Sequence, residues 1–175
     1  VALVSPTEDD GVAVLVSSQH PSEVQKLVAS TLGIALNRVT VSVRRMGGAF
    51  GGKETQAAPL ACIAALFARR TGRAIKYRMP RQQDMMQTGK RHDFENEYRL
   101  GFDDQGVIQA AELTLAARCG YSADLSDSIV DRAMFHADNA YCLQNAQITG
   151  YRCRTNTVSN TAFRGFGGPQ GMLTI

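Results

Sequence analysis

Residues 47–54 read GGAFGGKE, four glycines around one phenylalanine, then a lysine and a glutamate. Glycine places no Cβ between the main chain and a ligand, so this stretch offers bare backbone N–H groups beside a cation and a carboxylate. An anionic or electron-rich ligand is the natural expectation. Gly47, Gly52 and Lys53 also match the GxxxxGK spacing of a phosphate loop, in which a strand precedes the glycines and a helix follows. The next position is Glu54 instead of a Ser or Thr hydroxyl for magnesium, and a carboxylate there repels triphosphate oxygens. A phosphate- or nucleotide-binding module built on the Gly47–Lys53 loop is therefore the disfavoured alternative.

NTAFRGFGGPQG, residues 160–171, repeats the chemistry with glycines, aromatic rings and an arginine ahead of an expected helix. Two such loops in one short chain exceed what tight turns require. Arg132 lies in SIVDRAMFHAD among Ile129, Ala133, Met134 and Phe135, where a cation must snorkel or meet an anion. His20, His92 and His136 have no carboxylate or cysteine at catalytic spacing and read as structural. Cys62, Cys119, Cys142 and Cys153 form no CxxC pair, which is neither zinc nor iron–sulfur spacing, and reduced thiols are expected.

The elements that position these loops follow from periodicity. Val12–Val16 is a β-branched run with the character of a buried strand. Val24, Leu27, Val28 and Leu32 recur at helical spacing between Pro21 and Gly33, predicting a helix over 21–32. Val39, Val41 and Val43 alternate with polar residues, a strand ending at the first glycine cluster. Thr55–Arg70 is apolar nearly all round, predicting a helix buried inside a larger protein, which opens from the glycines and stops at Gly72. A short strand at 74–79 and a helical turn after it come next. Phe94–Phe102 and Val107–Ala117 flank DDQG, the composition of a hairpin. Ser126–Ala137 reads as helix, Ile148–Arg154 as extended and Asn156–Gly168 as a long loop, and loops of that length are usually functional. Without strict βαβ alternation the expectation is α+β, two layers with mixed sheets.

The bulk composition excludes several classes. The chain has 175 residues, 44% hydrophobic and 20% charged, with a formal net charge of +3 spread evenly, which argues for neither nucleic acid nor an anionic membrane as partner. The longest apolar stretch, Ala57–Ala68, is interrupted by Pro59 and falls short of the roughly 20 residues of a membrane helix. The first residue is Val1, no signal peptide is recognised, and the last residues, GGPQGMLTI, begin a new helix. A portion of a longer polypeptide, truncated at its C-terminus, is expected.

RRMGGAFGGKET, SDSIVDRAMFHADNAYCLQN and NTAFRGFGGPQGM together resemble the molybdenum-cofactor-binding domain of the xanthine dehydrogenase and aldehyde oxidase family of molybdenum hydroxylases, most closely its xanthine dehydrogenase branch. The likeness runs from about Val12 to Ile175, and the whole of 1–175 is assigned to that domain. It implies an oxidoreductase holding a molybdenum–pterin cofactor that oxidises a purine, xanthine or hypoxanthine, with oxygen from water. It also implies iron–sulfur clusters and FAD on other domains or subunits, the remainder of the large subunit as partner, a homo-oligomeric complete enzyme and a cytoplasmic location. The family's catalytic base has no counterpart here, so this portion alone is expected to be inactive.

By the same resemblance Gln19, Gly48, Phe50, Gly51 and Arg164 bind the cofactor, with Gln19, Phe50 and Arg164 nearest the metal. Ala49 stands where the family usually has another glycine. Glu54 and Arg132 bind the purine and share in catalysis: Glu54 meets a ring nitrogen or exocyclic oxygen, and Arg132 offsets negative charge that builds on the ring. Ala162, Phe163 and Phe166 line the substrate site, and the Phe166 ring stacks on the heterocycle, a contact worth about 0.5–1.5 kcal/mol beyond its buried area. Glu54 together with Arg132 favours purine over the aldehyde oxidase-type alternative, because aldehyde oxidases usually differ at both positions.

Overall fold

A computed structural model describes residues 1–175, which divide into two compact units, Val1–Thr88 and Gly89–Ile175. In the first unit, strands β1 (Ala2–Pro6), β2 (Val12–Val16), β3 (Val39–Ser42) and β4 (Ile75–Tyr77) form one sheet in the order β3-β2-β1-β4. β1 runs antiparallel to β2 and β4, whereas β2 and β3 are parallel and joined through helix α1 (Pro21–Leu32). Pro21 enters α1 with its φ already set, and Gly33 closes it in the left-handed conformation (φ 63°), donating to the Ala29 and Ser30 carbonyls. Val12, Val14 and Val16 point inward at alternate positions and meet Val24, Val28 and Leu32 of α1 in one core. Each such valine or leucine contributes about 1.5–3 kcal/mol of burial.

Helix α2 (Ala58–Thr71) completes the first unit and is followed by α3 (Arg81–Gln87). Ala58, Ala61, Ala64, Ala65 and Ala68 are buried along α2, and these small side chains let it pack closely into the same core. α2 is apolar on both faces, with alanines packed inward and Ile63, Leu66 and Phe67 exposed on this chain. One expectation is corrected here: the helix begins at Ala58, not at Thr55, and is separated from the glycine cluster by turns over residues 50–57. Strand β1 is additional to the expected elements: Ala2–Pro6 lacks the continuous apolar, mostly β-branched run of β2 and is held by pairing on both edges.

The second unit contains strands β5 (Phe94–Phe102), β6 (Ile108–Gly120) and β7 (Ala146–Arg154) in the order β5-β6-β7. β5 and β6 form the expected hairpin, whose turn is held by Asp103 Oδ1 accepting the N–H groups of Gln105 (3.0 Å) and Val107 (2.9 Å). The Val107 hydrogen bond leads the effects that hold this carboxyl below its ordinary pKa. β6 and β7 are parallel and connected through helix α4 (Ser126–Phe135), and a short helix α5 (Gly168–Met172) ends the chain. Ala133 packs with Leu113 and Leu115, and Val130 with Ala117 and Cys119. Each unit is thus a layer of helices on a mixed sheet, the α+β arrangement expected, with one parallel crossover in each.

Candidate functional site

In the first unit the glycine cluster hangs between β3 and α2 and is tied back to the residues after β2. Gln19 Oε1 accepts the N–H groups of Gly51 (3.0 Å) and Lys53 (3.2 Å), and the Gln19 N–H donates to the Lys53 carbonyl (2.9 Å). Two N–H donors at one side-chain atom require the amide oxygen there, which leaves Gln19 Nε2 as an outward donor. Lys53 Nζ donates to Ser17 Oγ (2.8 Å) and the Met46 carbonyl (2.7 Å). Its ammonium is therefore engaged by the loop, which together with the late start of α2 tells against the phosphate-loop alternative. Glu54 lies four positions before the first helical residue, so its carboxylate does not serve the α2 dipole. It is half-buried with no hydrogen bond or ion pair to its side chain.

The backbone of this loop is bare. Gly47 (φ 66°), Gly48 (φ 92°), Phe50 (φ 54°) and Gly51 (φ 95°) are left-handed. A bulky side chain at positive φ is rare and strained. No protein acceptor takes the N–H groups of Gly47, Gly48, Ala49 or Phe50. Gly48 cannot become another residue cheaply, because its φ of 92° strains any L side chain, and a Cβ there would also lie 2.9 Å from the Phe50 ring.

The second unit repeats the motif at Gly165 (φ 93°), Phe166 (φ 47°) and Gly167 (φ 91°). Phe166 N–H donates to the Phe163 carbonyl (2.8 Å), and the N–H groups of Arg164 and Gly165 have no protein acceptor. Ala162 is fully buried, Phe163 is 45% exposed and Phe166 is half-buried. Arg132 sits exposed in the last turn of α4, and the helix's own acids, Asp127 and Asp131, are both paired to Arg152. Its charge is thereby left unneutralised.

Three residues ahead of β5, not singled out by sequence reasoning as site residues, hold this second loop. The Lys90 carbonyl accepts Thr161 N–H (2.9 Å), and Arg91 Nη2 donates to the Arg164 carbonyl (2.6 Å) with its guanidinium 4.6 Å from the Phe163 ring centroid. His92 Nε2 lies 2.7 Å from Ser126 Oγ at the start of α4. Burial, opposed by the Thr161 hydrogen bond and by Asp124 and Asp93, pushes the His92 pKa down. The structural role expected for His92 is what the geometry shows. The four cysteines are free, and no helix is long and apolar enough to cross a membrane.

The family model of the molybdopterin cofactor-binding domain matches residues 1–175. The chain belongs to that family. This molybdopterin cofactor-binding domain is 45% identical over 172 residues to xanthine dehydrogenase/oxidase of Gallus gallus, covering 98% of the chain and 13% of that protein. To the xanthine dehydrogenase/oxidase of Mus musculus it is 49% identical over 158 residues, 90% of the chain and 12% of that protein. The solved aldehyde oxidoreductase from Desulfovibrio gigas superposes with a TM-score of 0.84 at 26% identity, over 99% of this chain and 19% of that one. The chain thus spans a small part of the length of these relatives.

The residues present fit a molybdopterin. In the first unit the left-handed glycines leave the amides of 47–50 bare and unspent, and Gln19 Nε2 is an oriented donor; in the second unit the amides of 164–165 are unspent. Arg91 Nη1 is buried without an acceptor, a further donor for an anionic group. Such main-chain and amide donors suit a cofactor rich in oxygen and phosphate acceptors.

Proposed function

We propose that this domain forms part of the cofactor and substrate site of a molybdenum hydroxylase that oxidises a purine. The observation carrying the reading is the pair of Gly–Phe–Gly-type loops whose main chain is left-handed and whose amides are uncommitted. On this reading Gln19, Gly48, Phe50, Gly51 and Arg164 hold the cofactor, with Gln19, Phe50 and Arg164 nearest the metal. When bound, the cofactor supplies the oxidation and the transfer of water-derived oxygen.

The chain's own residues bind and orient. Glu54, with no partner of its own, meets a ring nitrogen or exocyclic oxygen of the purine, while Arg132 answers charge that grows on the ring during reaction. Phe163 and Phe166 supply the apolar and aromatic surface a flat heterocycle requires, whereas Ala162, expected to line the same site, is fully buried and offers none. A carboxylate and a guanidinium both left free of protein partners favour a purine over an aldehyde, which offers one carbonyl oxygen and no ring nitrogens. The complete protein also carries iron–sulfur and FAD domains or subunits, supplies the catalytic base from residues outside this domain, assembles as a homo-oligomer and works in the cytoplasm.

The test is made on the full-length protein: molybdenum by mass spectrometry, pterin by fluorescence after oxidative release, and urate formation from xanthine. Stoichiometric molybdenum with urate production is expected. Turnover of aldehydes without purines would move the activity to the aldehyde branch, and a metal-free protein with no turnover would end the proposal.

A further inference from the structure

Arg91 contacts the 162–166 loop in two ways. Its Nη2 donates to the Arg164 carbonyl at 2.6 Å, and its guanidinium lies over the Phe163 ring at 4.6 Å. Next to it, Thr161 N–H donates to the Lys90 carbonyl at 2.9 Å, so the loop is gripped on both sides of Phe163. No carboxylate neutralises Arg91, and its Nη1 is buried without an acceptor. This cation is thus kept close to the loop without the usual partner of a buried charge.

The consequence lies in the Arg164–Gly165 peptide. A trans peptide is planar, and its carbonyl and its N–H point in opposite directions. Holding the Arg164 oxygen toward Arg91 therefore turns the Gly165 N–H the other way, and that N–H has no protein acceptor. Gly165 has φ 93°, and a Cβ on it would lie 2.5 Å from Pro169 Cγ. The glycine permits the orientation, and something else must choose it over the flipped peptide.

We propose that Arg91 is a positioning residue: it fixes the Arg164–Gly165 peptide so that the Gly165 N–H is presented as a donor, and it seats the Phe163 ring against which substrate packs. The substrate part rests on the purine reading above; the loop-holding part does not. A methionine keeps an apolar stem at Arg91 without the guanidinium, and a lysine keeps the charge and N–H donors without the planar face.

The experiment compares wild type, Arg91→Met and Arg91→Lys in the full-length enzyme by hydrogen–deuterium exchange and steady-state kinetics. Exchange in the 160–168 peptide is expected to rise about tenfold in Arg91→Met, the loss of one charge-assisted hydrogen bond, and less in Arg91→Lys, with 47–54 and 126–135 unchanged. KM for xanthine is expected to rise about tenfold while kcat stays within about threefold, as for loss of binding made equally in ground and transition states. Unchanged exchange at 160–168, or an equal rise throughout 89–175, overturns the loop-holding claim. A disturbed loop with unchanged KM overturns its link to substrate. A wild-type enzyme with no xanthine turnover refutes the purine reading, and the exchange comparison still decides the role of Arg91.

Discussion

The side-chain oxygen of Gln19 lies 3.0 Å from the backbone nitrogen of Gly51, which donates to it. This bond fixes both ends of the amide: oxygen toward the glycine loop, nitrogen away from it. Gln19→Glu keeps an acceptor for the loop while replacing the outward donor with a repelling oxygen. In the full-length protein the 47–54 peptide should retain its exchange protection, and molybdenum content or kcat/KM should fall about 10- to 100-fold, the effect of a hydrogen bond to a charged group. Equal cofactor content and activity in this variant would show that Gln19 only braces the loop.

Arg132 has no ion pair on α4, since Arg152 takes both Asp127 and Asp131. Its replacement should leave helix stability within about 0.5 kcal/mol, as for an exposed side chain without partners. Arg132→Met in the intact enzyme should nevertheless raise the barrier for xanthine by about 1.5–3 kcal/mol, a 10- to 100-fold fall in kcat/KM. Wild-type rates would remove Arg132 from the site.

Gly171 and Gly168 share helix α5 but differ in what surrounds them. A Cβ on Gly171 would collide with the Ala133 carbonyl oxygen of α4, whereas one on Gly168 would meet only the His136 ring at 3.5 Å. Gly171→Ala should destabilise the protein by about 1–3 kcal/mol, as overpacking does, and Gly168→Ala by less than about 0.5 kcal/mol. Thermal unfolding of the two variants side by side reads the difference.

His92 makes the second unit sensitive to acid. Its folded pKa is lowered, chiefly by burial, so the unfolded chain binds the proton more readily. The stability it confers is complete above the unfolded value of about 6.5 and is lost as pH falls from there through the folded value. Protection factors of amides 126–135, corrected for intrinsic exchange, should drop between pH 7.5 and 5.5, and this drop should shrink in His92→Gln. A pH-independent wild type would show that His92 does not hold α4.

Much of this architecture was legible because its signals are local. Pro21 and Gly33 bound α1, Gly72 closes α2 and DDQG turns the β5–β6 hairpin, each through the conformational limits of residues close together in the chain. The two glycine–aromatic strings were visible as unusual for the same reason, since positive φ is written in glycine itself. Only the tertiary structure decided which donors those loops leave free. Lys53 folds back on Ser17 and Met46 and so leaves the ligand-facing set, and Arg91 reaches Arg164 across 73 positions of sequence. β1, whose ALVSP sequence carries no distinct strand signal, is held by partners on both edges. A hydrogen bond between distant residues depends on where packing puts two side chains, and no spacing along the chain records that.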